Sequence, residues 1–216
     1  MPANTNDSPD PVVASPNAPA TDVGATRAFF GPRAAGWETR FPDDGPSYAQ
    51  AVAELAPPMG GTVLDAACGT GRALPALRAA VGQTGVVLGL DLTAEMLAEA
   101  VHCGRRSYAH LILGDVMKLP LTSGSLDAVF AAGLVSHLPD AAAGLRELAR
   151  VCRPGGRLAL FHPLGRAALA RRHGRDPNAD DVRSPPQITA LLAQTGWRCE
   201  SIDDVADRYL VLATRC

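Results

Sequence analysis

Three aspartates, two glycines and two histidines are spaced so that they could hold a ligand and act on it. Residues 63–72 read Val-Leu-Asp-Ala-Ala-Cys-Gly-Thr-Gly-Arg. An apolar run closes on Asp65, and a loop of small residues carrying Gly69 and Gly71 follows. Glycine lets the chain turn sharply there and bring its backbone against a ligand. The N–H groups of the next helix start are free to donate. Asp91 closes the next apolar run 20 residues beyond Gly71, an offset that suits an acid holding the ribose hydroxyls of a nucleotide-like cofactor. Asp115 ends a third run. A carboxylate at position 65 would repel a pyrophosphate and suits a ligand bearing an ammonium group.

Two familiar glycine-loop readings fail. The third glycine of the dinucleotide fingerprint is replaced by Leu74, which argues against a nicotinamide cofactor and hence against a dehydrogenase. No Lys-Ser or Lys-Thr follows the loop, so it is not a phosphate-binding P-loop. His137 and His162 are the candidate bases if the reaction removes a proton. His162 precedes Pro163, which restricts it to extended backbone. His102, His110 and His173 have no partner at ligand spacing, and no His, Cys and carboxylate cluster supports a metal site.

These residues need a scaffold, and the apolar periodicity supplies one. Strands are expected over 62–66, 86–91, 110–114, 126–131 and 157–162, alternating with helices over 71–81, 94–103 and 140–152. A helix near 186–195 and strands near 197–202 and 207–214 complete the pattern. Such alternation predicts an α/β fold with a mostly parallel sheet and helices on both faces. Ligands of such sheets sit beyond the carboxyl ends of the strands. The strand ends are Asp65, Asp91, Asp115, the pair Ala131 and Ala132, and His162. One aspartate could be a mere helix cap, but three together point to a ligand site.

Residues 1–24 are rich in Pro, Ala, Asn, Asp and Ser and read as a disordered tail. Residues 25–58 concentrate the aromatic side chains (Phe29, Phe30, Trp37, Phe41 and Tyr48) and read either as a helical lid over the pocket or as padding on the sheet. Residues 59–216 form the main domain. Between 163 and 185, Arg166, Arg171, Arg172 and Arg175 precede Asp176, Asp180 and Asp181, which reads first as a solvated helix face and second as part of an acceptor lid. The 216 residues carry a net charge of −2, which gives no electrostatic case for nucleic acid or an anionic membrane. No apolar run reaches spanning length, no signal peptide opens the chain, and the five cysteines, an odd number with no C-x-x-C spacing, read as reduced thiols of a cytoplasmic protein.

The motifs in their order resemble the class I S-adenosylmethionine-dependent methyltransferases. The resemblance rests on the Asp65 to Gly71 loop, the Leu90 to Leu97 segment, Leu113 to Val116, Ser125 to Phe130, and the Leu145 to Gly156 helix and turn. Ala67 stands where that family often has glycine. The resemblance implies a Rossmann-like seven-stranded sheet whose last strand is antiparallel. It also implies that Asp65, Ala67, Gly69, Thr70 and Gly71 face the methionine part of S-adenosylmethionine and that Asp91 binds the ribose. Leu92 and Met96 would wall the adenine, Asp115 and Val116 would read its edge, and backbone at Ala131 and Ala132 would lie beside the amino-acid part. The expected reaction is methyl transfer to a small molecule, giving S-adenosylhomocysteine. The alternatives are a methyltransferase acting on RNA or protein and a non-catalytic S-adenosylmethionine-binding protein.

Overall fold

The computed structural model of the chain describes residues 23–40 and 44–216. Residues 1–22 of the expected tail, and Phe41 of the aromatic segment, lie outside the described residues. The first helix begins at Val23, within the stretch read as tail.

The sheet has seven strands: β1 (Thr62–Ala66), β2 (Val86–Asp91), β3 (His110–Leu113), β4 (Leu126–Ala132), β5 (Cys152–His162), β6 (Trp197–Val205) and β7 (Arg208–Arg215). Their spatial order is β3-β2-β1-β4-β5-β7-β6. β1 pairs in parallel with both β2 and β4, and β7 runs antiparallel between β5 and β6. The strand order therefore reverses between β1 and β4, and a crevice opens above that switch point. β5 begins at Cys152, earlier than expected. Cys152 pairs with Leu126, the Pro154-Gly155-Gly156 turn is absorbed as a register shift, and regular pairing resumes at Ala128 with Arg157.

Alternating strand residues feed two cores, one on each face of the sheet. Val63, Ala128, Phe130, Ala159 and Phe161 pack under the helices α3 (Gly45–Leu55) and α4 (Leu74–Val81). Leu64, Val129, Leu158 and Leu160 pack under α6 (Ala141–Val151) and α8 (Pro185–Gln194). Trp197, fully buried, donates its indole N–H to the Leu145 carbonyl at 3.0 Å and ties β6 to α6. Burying such a ring stabilises the fold by about 2 kcal/mol or more.

The aromatic segment splits into two parts with different roles. Helices α1 (Val23–Phe30) and α2 (Trp37–Arg40), joined by a 3-10 turn over 31–36, lie over the crevice. In α3, Ala51, Val52 and Leu55 are buried in the core, and the Tyr48 ring meets Phe161 at 5.0 Å and Phe130 at 6.2 Å. This part covers the sheet, because its apolar face packs on the Phe130 and Phe161 side of β4 and β5. α5 (Ala94–His102) follows β2. α7 (Arg166–Arg172) forms within the charged insert, where the sequence pattern broke off.

Candidate active site

The loop after β1 is shaped by three left-handed residues: Ala67 (φ 61°), Gly69 (φ 54°) and Gly71 (φ 84°). A Cβ on Gly71 would come within 2.7 Å of Leu74 Cδ1. The missing third glycine is thus explained: Leu74 is fully buried in the space Gly71 leaves. Gly69 is needed for its conformation, since a Cβ there would meet nothing within 4 Å. Ala67 adopts a conformation in which a Cβ is strained.

Asp91 fastens this loop. Its Oδ2 accepts from the Gly69 N–H at 2.8 Å and its Oδ1 from the Thr93 N–H at 2.8 Å. Burial raises its pKa and these backbone donors oppose the rise. Each carboxylate oxygen keeps a further lone pair for a ligand. Asp115 uses Oδ1 to cap the next turn, accepting from the Met117 N–H at 2.9 Å. Asp65 differs from both. It is 2% exposed, and its Oδ1 has no hydrogen-bond partner among the described residues. Burial, reinforced by the negative charge of Asp91, pushes its pKa up to about 8.

A cavity of about 710 Å³ connects these groups. Asp65, Ala67, Gly69, Thr70, Asp91 and Leu92 line it, as do Met96, Asp115, Val116 and Ala132. Gly71 and Ala131 do not. Gly71 serves the turn and Leu74 packing, and Ala131 is 1% exposed in the core under α6, because alternate residues of β4 face away from the crevice.

The far end of the cavity carries both histidines. His162 closes β5, and its Nδ1 lies 2.9 Å from the Leu164 carbonyl and 3.0 Å from the Leu164 N–H. Either tautomer therefore commits Nδ1 to Leu164 and leaves Nε2 for an acceptor. Burial lowers its pKa to about 4; the Leu164 contact opposes this, and Arg183, His137 and Arg172 add to it. His137 is likewise pushed down to about 4 by burial and then by Arg183. Its ring meets Phe30 edge-on at 5.2 Å.

One group of residues at the site carried no sequence signal, and a second was read first as a solvated face and only second as part of an acceptor lid. Glu38 of α2 accepts from the Thr70 hydroxyl at 2.5 Å, Arg72 Nε at 3.1 Å and Arg105 Nη2 at 2.7 Å. Arg105 also donates to the Thr70 carbonyl at 2.8 Å, and Arg72 pairs with Asp44. Burial works against the Glu38 charge, but these partners hold its pKa down at about 2. The segment around α2 is thereby latched to the glycine loop by residues 28 to 67 positions apart. The second group is the charged insert. Arg166, Leu169 and Arg183 line the cavity, so the insert forms a wall and is more than a solvated face. Arg183 is held by Asp181 (Nη2 to Oδ2 at 2.7 Å), and its carbonyl accepts from the Tyr209 hydroxyl at 2.9 Å.

A doubly wound sheet with a glycine loop and strand-end carboxylates at its switch point defines a protein that binds a nucleoside-type cofactor. A family profile described as a methyltransferase domain matches residues 64–160. The demethylmenaquinone methyltransferase of Roseiflexus sp. (strain RS-1) is 32% identical over 174 residues, covering 69% of this chain and 73% of that protein. The protein of the same description from Shouchella clausii (strain KSM-K16) is 38% identical over 102 residues, 46% of this chain and 43% of its own length. The chain thus spans less than half the length of that second relative. The crystal structure of a SAM-dependent methyltransferase from Aquifex aeolicus superposes with a TM-score of 0.66 at 23% identity, covering 90% of this chain and 99% of that one. The chain belongs to the class I S-adenosylmethionine-dependent methyltransferases. No helix among the described residues is long and apolar enough to cross a membrane, and no metal-binding cluster occurs among them.

Proposed function

We propose that this chain transfers a methyl group from S-adenosylmethionine to a small-molecule acceptor. The observation that carries the reading is the buried, unpartnered Asp65 oxygen opening on the same cavity as the glycine loop and two histidines. A buried carboxylate without a partner costs several kcal/mol unless a ligand supplies the counter-charge. The ammonium of the cofactor is such a group, so the residues fit it. Asp65 would hold that ammonium and Asp91 the ribose hydroxyls through its remaining lone pairs. Leu92, Met96 and Val116 would enclose the adenine beside Asp115. When bound, the cofactor supplies an electrophilic methyl on a sulfonium, and catalysis then rests largely on positioning.

The acceptor would enter from the β4 and β5 side, where His162 Nε2 can take or share a hydrogen bond. The cavity continues past the proposed cofactor residues to the two histidines, which speaks against a binding-only protein, and its enclosure by the lid and insert favours a small acceptor over RNA or protein. The relatives described as demethylmenaquinone methyltransferases point to small molecules too. Calorimetry with S-adenosylhomocysteine tests the cofactor part, and absence of binding by the folded protein refutes it. Once an acceptor is known, His162→Ala tests the histidine. A general base predicts turnover lower by about 100-fold with cofactor affinity unchanged. Unchanged turnover removes His162 from the chemistry.

A further inference from the structure

The acceptor end of the cavity has two unlike walls. One is aromatic. Phe30 contacts Phe29 at 5.0 Å, Trp37 at 5.8 Å and His137 at 5.2 Å, and all four rings line the cavity while staying only partly buried. Arg33 covers one face of Phe29, its guanidinium carbon 4.0 Å from the ring centroid, and the remaining ring edges and faces offer stacking area to a flat ligand. The other wall is polar, with His162 and Arg183.

We propose that the acceptor is an acidic aromatic hydroxyl, a phenol or ring-fused enol, whose ring lies on the Phe29, Phe30, Trp37 and His137 surface and whose oxygen faces His162 and Arg183. This rests on the methyl-transfer reading and names its substrate class.

The charges choose among acceptors. Arg183 and Arg172 act on His162, and Arg183, although paired with Asp181, also acts on His137. An ammonium is disfavoured beside them. An alkyl alcohol needs a strong base, and an imidazole pushed down to about 4 is a weak one. A phenol needs less, because nearby positive charge favours its anion and lets the proton pass to bulk water on binding. Arg183 also keeps donors for the oxygen. Its Nε and one Nη2 N–H hold Asp181, at 3.1 and 2.7 Å. Nη1 and the second Nη2 N–H remain for the acceptor oxygen.

The test uses the full chain saturated with S-adenosylhomocysteine and titrated with 4-nitrophenol. Two signals are read: visible absorbance, which reports the phenolate, and tryptophan fluorescence. Trp197 is fully buried in the core, so a fluorescence change reports Trp37 at the cavity. The proposal expects saturable binding, with the bound phenol's ionisation ratio raised about tenfold or more, equal to one pKa unit. Arg183→Gln should remove most of that rise. Phe30→Leu should weaken binding about fivefold or more while the rise persists, which keeps the proposal testable if the arginine variant fails to fold. Nitrophenol bound in neutral form, or displaced equally well by benzoate, cyclohexanol or benzylamine, overturns the proposal. Cofactor product bound without nitrophenol binding overturns it too and leaves the methyltransferase reading standing. Failure to bind S-adenosylhomocysteine rejects that reading itself.

Discussion

Asp65 is the group whose perturbation reports most directly on the proposed cofactor site. Its pKa is pushed from 3.8 in the unfolded chain to about 8 in the fold, chiefly by burial and then by Asp91. Between those values the folded state holds a proton that the unfolded state has lost. Stability from this group is therefore complete below about pH 4 and falls as pH rises, by about 1.4 kcal/mol per unit, until it levels near pH 8. From pH 5 to 8 the loss amounts to about 4 kcal/mol. Asp65→Asn cannot titrate. Its amide carries a fixed desolvation cost of about 1–3 kcal/mol, which cancels when one variant is followed across pH. The histidines pushed down to about 4 titrate alike in both proteins, so their contribution cancels in the difference. Urea denaturation from pH 5 to 8 should thus show Asp65→Asn gaining on the native protein by up to about 4 kcal/mol. The same proton must leave when an ammonium binds, so S-adenosylhomocysteine affinity of the native protein should rise about tenfold per unit from pH 6 to 7.5. Calorimetry in buffers of different ionisation enthalpy should detect nearly one proton released at pH 7. A stability difference that does not change with pH, together with binding that releases no proton, refutes the argument.

Asp91→Ala removes the acceptor for the Gly69 and Thr93 N–H groups and should weaken S-adenosylhomocysteine binding about tenfold or more, read by calorimetry on a variant that retains its circular dichroism. Glu38→Gln discharges the latch between α2 and the glycine loop and should speed S-adenosylhomocysteine release about tenfold in stopped-flow fluorescence; an unchanged rate separates the latch from cofactor exchange. The Glu38 pKa of about 2 lies below its ordinary 4.5, so the stability it contributes is present above pH 4.5 and lost as pH falls toward 2, a loss that Glu38→Gln should abolish in acid denaturation. Ala67→Gly relieves a Cβ held at a φ of 61° and should stabilise the fold by up to about 1 kcal/mol in urea denaturation; destabilisation would show that the Ala67 methyl packs better than its backbone suffers.

The first strand ends were readable in the chain because the runs of β1, β2 and β4 stop at a carboxylate or small residue, and a strand's boundaries depend on local apolar patterning. Hence β1 and β2 lie where the pattern put them, and Asp65, Asp91 and Asp115 share one cavity. The pattern could not distinguish Gly71, spent on Leu74, from Gly69, or the core-facing Ala131 from the cavity-facing Ala132. Neighbours in sequence take opposite faces once a strand is placed, and the placing is set by the whole sheet. The charged insert looked solvated because charge alone does not say what a side chain faces; α7 and Arg183 turn inward only because Tyr209 of β7 and Asp204 of β6 fasten them. The Glu38, Arg72 and Arg105 cluster left no mark in the sequence at all, since its members are brought together by the fold across 34 and 67 positions. Periodicity and turn chemistry act over a few residues and write themselves into the sequence; long-range ion pairs and the desolvation that sets the Asp65 charge exist only after the chain has closed around them.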